Sequence, residues 1–318
     1  MKTLVIGGAG FIGSHLVERL LSDGHSVRVL DNLTTGKREN LAAVGKDVEL
    51  VVADVRHPER LQQEMRDCEV VFHQAAIVSV PYSVEHPQET LDVNLRGTLN
   101  VLEAARGAGV RRVVMASSAA IYGEDPELPK RETMVPSPIS PYGLEKLGSE
   151  HYLAIWAKLF GLETFGLRYF NVFGPRQDPS SPYSGVISIF VDRILKGENP
   201  TIFGDGLHSR DFVFVADVVA ANLLAGTRPA RPAKAGEKAA SRVYNIGGGK
   251  RTTLNELASA LGKICGRDVK PKHAEPRAGD IRDSLADISR AREELGYEPR
   301  VPVEEGLRRL VDSLRATV

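Results

Sequence analysis

Tyr142 and Lys146 stand four residues apart in Ser140-Pro141-Tyr142-Gly143-Leu144-Glu145-Lys146. Ser140 suits a helix N-cap and Pro141 the first helical position, so the spacing predicts a helix opening here, with residues i and i+4 on one face. Phenol and ammonium then point the same way. An unperturbed phenol titrates near pH 10, roughly three units too high for a base at neutral pH, and a fixed cation beside it favours the phenolate. Such a pair can move a proton to and from a hydroxyl. Ser117 and Ser118 follow the apolar run Arg112-Val113-Val114-Met115-Ala116. Side chains at the C-terminal ends of parallel strands face the ligand crevice, so a serine there can meet Tyr142 and a substrate hydroxyl.

Gly7-Gly8-Ala9-Gly10-Phe11-Ile12-Gly13 supplies the second chemical signal. It follows the first apolar run and opens the first amphipathic stretch. Such glycines allow a tight turn, a close backbone approach to a pyrophosphate, and helix-on-strand packing, while the helix N-terminus offers free N–H groups. Asp31 ends the next apolar run, 18 residues after Gly13. A carboxylate there accepts from adenosine ribose hydroxyls and repels a 2′-phosphate, which favours NAD over NADP. Asp54, ending the third run, is expected at the adenine end.

These residues need a scaffold, and the first half of the chain describes one. Apolar runs at residues 3–6, 27–30, 48–52, 70–72, 112–116 and 164–167 alternate with helical stretches at 13–21, 58–65, 88–106 and from Tyr142 to a stop at Gly161. Alternation of this kind predicts βαβ units and a parallel sheet covered on both faces. The expected fold is α/β, a Rossmann-type doubly wound parallel sheet. A smaller mixed α/β substrate-binding region is expected on its C-terminal side. Residues 1–168 read as the NAD-binding domain and 169–318 as a discontinuous substrate domain, with 211–246 returning in part to the first. Residues 174–185, 197–206 and 226–241 read as loops, 212–215 and 243–246 as strands, and 217–224, 253–264 and 303–314 as helices.

The chain has 318 residues, with 41 basic and 41 acidic side chains giving zero net charge. That balance argues against a general electrostatic role with nucleic acid or membrane. Two cysteines without a CxxC leave neither a disulfide scaffold nor a cysteine-rich zinc site, and fit a reducing cytoplasm. No metal site is expected. No apolar run is long enough to span a membrane, and residues 1–6 lead into the glycine turn without the pattern of a signal peptide.

The glycine turn, Ser117-Ser118-Ala119-Ala120-Ile121-Tyr122-Gly123 and Tyr142xxxLys146 together resemble the extended short-chain dehydrogenase/reductase superfamily over nearly the whole chain. Within it the sequence is similar to the nucleoside-diphosphate-sugar 4-epimerases of the UDP-glucose/UDP-N-acetylglucosamine type. Three further segments match that family's signatures: Leu167-Arg168-Tyr169-Phe170-Asn171-Val172-Phe173-Gly174-Pro175, Gly204-Asp205-Gly206-Leu207-His208-Ser209-Arg210-Asp211-Phe212, and Arg277-Ala278-Gly279-Asp280. His73-Gln74-Ala75-Ala76 resembles the loop under the nicotinamide half of the cofactor. The resemblance implies NAD held by Gly7, Gly10, Phe11, Ile12, Gly13, Asp31, Asn32, Asp54, Val55, Gln74, Ala75, Ala76, Asn94, Ala116, Tyr142, Lys146 and Tyr169. It implies catalysis by Tyr142, Lys146 and Ser118, and a UDP-sugar bound by Ser118, Tyr142, Asn171, Arg210, Arg277, Asp280 and Ser284. Arg210 and Arg277 suit a diphosphate by their bidentate donors. A homodimer paired through residues 88–106 and 142–160 is also implied.

In the related 4,6-dehydratases an acidic pair follows the serine or threonine, and the related decarboxylases carry a glutamate there. Ala119 and Ala120 cannot exchange a proton, which disfavours both reactions. The implied reaction is inversion at C4 through a transient 4-keto sugar. Ser284 takes the place that closes or opens the hexose pocket in related epimerases; a serine there is expected to admit a 2-N-acetyl group. Residues 79–83 and the Gln177-Asp178-Pro179 loop also resemble the subgroup that handles N-acetylated sugars. A UDP-glucuronate 4-epimerase, with Arg176 as a candidate cation for a C6 carboxylate, stays an alternative, as does a nucleotide-sugar reductase or dehydratase of the same superfamily.

Overall fold

Short Val- and Ile-rich runs bounded by glycine or charged residues are too brief for buried helices and fit fully buried parallel strands. The computed structural model, which describes residues 1–178, 185–229, 242–275 and 282–316, folds them so. In chain order the elements are β1 (Lys2–Ile6), α1 (Phe11–Ser22), β2 (Ser26–Asp31), β3 (Glu49–Val52), α2 (Pro58–Glu64), β4 (Val70–His73), α3 (Val80–Glu85), α4 (Pro87–Thr90), α5 (Gly97–Gly107), β5 (Arg112–Ser118) and α6 (Pro141–Phe160). There follow β6 (Glu163–Tyr169), β7 (Asn171–Phe173), α7 (Val186–Leu195), β8 (Thr201–Phe203), β9 (Ser209–Phe214), α8 (Val215–Thr227), β10 (Arg242–Ile246), β11 (Arg251–Thr253), α9 (Leu254–Cys265), β12 (Lys272–Ala274), α10 (Ser289–Leu295) and α11 (Val303–Arg315).

Seven parallel strands form the main sheet in the order β10-β6-β5-β4-β1-β2-β3. The order reverses between β1 and β4, and such a switch point opens a crevice at the C-terminal strand ends. One apolar cluster packs α1 and α8 on one face; a second packs α2, α5 and α6 on the other. A third core joins β7, β9, α7, α9 and α11 around two small sheets, β11-β9-β7 and β12-β8.

Several local expectations are refined. The stretch 88–106 is interrupted: a π-helical turn, Leu91–Arg96, separates α4 from α5. Gly97 sits at this break because a Cβ would stand 2.7 Å from a Val55 methyl. Strand 212–215 is β9 and lies in a small sheet, whereas α8 packs against the main sheet and β10 extends its edge beside β6. Strand β8 falls within a stretch read as loop, and α3 and α10 were not foreseen. Loop 226–241 begins inside α8, and its residues from 230 lie outside the described ones. Helix α6 opens as expected, with the Ser140 hydroxyl accepting from the Gly143 N–H at 3.2 Å and Pro141 in its first turn, and it stops at left-handed Gly161.

Candidate active site

The glycine turn leaves β1 into α1 at the switch point. Gly7 has φ +79° and lies so close to the chain after β4 that a Cβ would stand 2.6 Å from the Ala75 nitrogen. A Cβ on Gly13 would stand 2.1 Å from the Gly7 carbonyl oxygen. Helix α1 begins after Gly10 with no side-chain cap, so its first-turn N–H groups are free to face an anion. Asp31 ends β2, nearly buried, and accepts from the N–H groups of Ala9 (2.9 Å) and Leu33 (2.8 Å). Burial raises its pKa against those two bonds. The Asp54 carboxylate is engaged by Arg56 through Nε (2.9 Å) and a terminal nitrogen (2.8 Å), and by Asn32 (2.8 Å). Arg56 holds it far below the usual carboxylate range. Arg56 was missed, although its place two residues after Asp54 was visible. Val55 is buried beneath Gly97.

Strand β5 and helix α6 bring the proton-transfer groups together. The Ser118 hydroxyl stands close enough to the Tyr142 phenol to lower its pKa and accepts from the Ala120 N–H at 3.1 Å. The Lys146 ammonium donates to the Ala116 carbonyl at 2.9 Å and stands 5.9 Å from the centre of the Tyr142 ring. Burial pushes the phenol up to about 12; the nearby Ser118 hydroxyl pulls it down and Glu145 pushes it further up. Burial also brings Lys146 down to about 8, opposed by Glu145 and Glu150. The sequence suggested that Lys146 would lower the phenol. In the folded site burial dominates, an effect that local spacing does not contain.

Three buried networks brace this site. In the first, Glu150 accepts from Ser117 (2.6 Å) and from two nitrogens of Arg168 (2.9 and 2.8 Å), and Arg168 donates onward to the Tyr122 hydroxyl (2.8 Å). In the second, Gln74, Tyr169 and Asn222 close a triangle of 2.7–3.1 Å bonds that joins the ends of β4 and β6 to α8. In the third, Asn94 brackets the Ile77 backbone, accepting from its N–H (2.8 Å) and donating to its carbonyl (3.0 Å). Asn94 also donates to Glu145 at 2.7 Å. The Asn94 side chain therefore holds the segment after Ala75 and Ala76 in place. Glu145, Glu150 and Asn222 were missed because their partners lie 18 to 148 residues away.

Asn171 lies exposed on β7, paired in register with Phe212 of β9. Arg210 is on β9, and Ser284 joins that strand through its N–H to the Ser209 carbonyl at 3.1 Å. Arg277 and Asp280 lie outside the described residues, as does Pro179 of the 177–179 loop. Arg176 does not stand free: it donates to the Ser14 hydroxyl at 3.1 Å and pairs with Glu18 on α1. Ser79 caps α3 and residues 80–83 form its first turn, with the Ser83 hydroxyl accepting from the Tyr142 N–H at 3.2 Å. Among the described residues no cluster of His, Cys, Asp and Glu could hold a metal, and no helix is long and apolar enough to cross a membrane.

Residues 3–247 match the model of the NAD dependent epimerase/dehydratase family. The chain belongs to that family. A UDP-glucose 4-epimerase of Mycolicibacterium smegmatis is 43% identical over 320 residues, 99% of each chain. A crystal structure of UDP-glucose 4-epimerase from Thermotoga maritima with UDP-glucose superposes with a TM-score of 0.92 at 43% identity, covering 100% of this chain and 99% of that one. A UDP-N-acetylglucosamine 4-epimerase from Methanobrevibacter ruminantium, in complex with UDP-N-acetylmuramic acid, superposes with a TM-score of 0.91 at 37% identity, covering 100% and 99%. The NAD cofactor of the family fits the glycine cradle, the uncapped α1 N-terminus and the Asp31 carboxylate.

Proposed function

We propose that the protein is a NAD-dependent UDP-hexose 4-epimerase, an isomerase acting on UDP-glucose/UDP-galactose and on the UDP-GlcNAc/UDP-GalNAc pair. The observation that carries this reading is the close Ser118–Tyr142 pair beside Lys146, with Ala119 and Ala120 opening the turn that follows. A Cβ on Gly143 would stand 2.8 Å from the Ala120 carbonyl oxygen, so this turn packs directly on the catalytic helix. A carboxylic acid for elimination is lacking where the family's dehydratases carry one.

NAD, when bound, supplies a reversible hydride acceptor and, oxidised, a positive charge that favours the Tyr142 phenolate. Gly7, Gly10, Phe11, Ile12, Gly13, Asp31 and residues 74–76 would hold it. Tyr142 takes the proton from the 4-hydroxyl as C4 is oxidised, and Ser118 hydrogen-bonds the same oxygen. The flat 4-keto sugar turns about its diphosphate, anchored by Asn171, Arg210 and Arg277, and presents its other face. Tyr142 then returns the proton and C4 is inverted.

Ser284 beside β9 supports acceptance of an N-acetyl group at C2. The engagement of Arg176 with Glu18 leaves it poorly suited to a C6 carboxylate, which counts against UDP-glucuronate. Separate incubations with UDP-glucose, UDP-GlcNAc and UDP-glucuronate test the reading. Conversion of each of the first two to its own C4 epimer without net NADH consumption is expected; net NADH oxidation would point to a reductase. Ser284→Tyr is expected to depress the N-acetylated pair more than the plain pair, and equal losses would remove Ser284 from the pocket. The balance of charge and two free cysteines support a cytoplasmic enzyme without nucleic-acid or membrane partners. A homodimer is supported by exposed Leu144, Ile155, Leu159 and Phe160 on α6 and Leu91 before α5.

A further inference from the structure

We propose that Glu145 is a positioning residue that fixes the catalytic helix and the chain after β4 in one register. Its carboxylate, 3% exposed, accepts from Thr90 Oγ1 at 2.7 Å and from Asn94 Nδ2 at 2.7 Å, and both donors are themselves buried. Asn94 grips both backbone groups of Ile77, two residues beyond Ala75, the residue that touches the glycine turn at Gly7. One carboxylate on α6 thus reaches, through a single amide, the chain that walls the dinucleotide site. Tyr142 and Lys146 flank Glu145 on the same helix. The π-turn Leu91–Arg96 places Asn94 between the two. Among the described residues no cation pairs with Glu145 by side-chain contact, so an ion pair does not explain its burial. Buried polar groups of this kind remain only when their bonds are made, and a half-satisfied network is costly.

The inference rests on the epimerase reading for its kinetic arm and on NAD binding alone for its second arm. In Glu145→Gln, the amide keeps its acceptor toward Thr90 but turns a donor toward the donor of Asn94. In Asn94→Asp, two carboxylates face each other. In the double variant the introduced amide on α6 donates to the introduced carboxylate on the π-turn, and the contact between the two is restored with its direction reversed. NAD retained after gel filtration of NAD-saturated protein is measured for all four proteins, alongside kcat and KM for UDP-glucose. Each single change is expected to lose NAD faster and to lower kcat about tenfold, with KM little altered. The double variant is expected to recover about threefold over Asn94→Asp, short of the full tenfold because the donor to the Ile77 carbonyl stays missing. Thr90→Val, which breaks the other bond of the same carboxylate, is expected to move NAD retention the same way. Additive losses in the double variant, or NAD retention unchanged in Glu145→Gln, would overturn the proposal. Failure of the unaltered protein to turn over UDP-glucose would instead remove the epimerase reading, with NAD retention still deciding the role of Glu145.

Discussion

A phenol buried away from water holds its proton, and Tyr142 is pushed up to about 12 in its pocket. The charges that can release that proton are Lys146 and an oxidised nicotinamide, so the ionisation of Lys146 matters. Burial brings the ammonium down to about 8. The group acts in its charged form, which prevails below that pH and is lost above it. Epimerase kcat is therefore expected to fall as pH rises through about 8, and a rate that stays flat to pH 10 would show that the Lys146 charge is dispensable. Tyr142, Lys146 and Ser118 were legible in the sequence because a four-residue helical spacing and a strand end are local facts. Glu145 with Asn94, and Glu150 with Arg168, were not: each pair is joined by tertiary packing across helices and strands. A buried carboxylate looks in sequence like any charge on a helix.

Elements, more than single side chains, place the dinucleotide. The turn from β1 to α1 is pressed against the chain after β4 at Gly7 and against itself at Gly13, where a Cβ would overlap the Gly7 carbonyl. Overpacking of this kind costs about 1–3 kcal/mol, or about ten- to hundredfold in affinity if it falls on the bound state. Gly13→Ala is expected to weaken NAD binding by that factor in calorimetry, while UDP binding, proposed to rest on Asn171 and Arg210, changes little. An unaltered NAD affinity would show that Gly13 serves only the fold. The glycine turn was readable because its spacing is a backbone requirement. The π-turn was not, because residues 88–106 have helical texture throughout and the break answers to Asn94 and Gly97 in their tertiary setting.

At the scale of the molecule, strand and helix alternation foretold the seven-stranded sheet well. The small sheets escaped because strands of three residues, such as β7, β8, β11 and β12, carry too little pattern. They bring Asn171, Arg210 and Ser284 together along β7 and β9, where the proposed function places the diphosphate and the sugar. The apolar face of α6 leads to a further expectation: sedimentation is expected to show a dimer, and Leu159→Glu, which places a charge where 63% of a leucine is exposed, to shift it toward monomer. A protein that sediments as a monomer throughout would exclude pairing through α6. In the proposed reaction C4 of the sugar is oxidised and reduced again within one closed site. UDP-glucose deuterated at C4 tests it most directly. The expected product is UDP-galactose that keeps its deuterium at C4, formed by the unaltered protein and absent with Tyr142→Phe; loss of the label to the medium, or undiminished turnover by Tyr142→Phe, would contradict it.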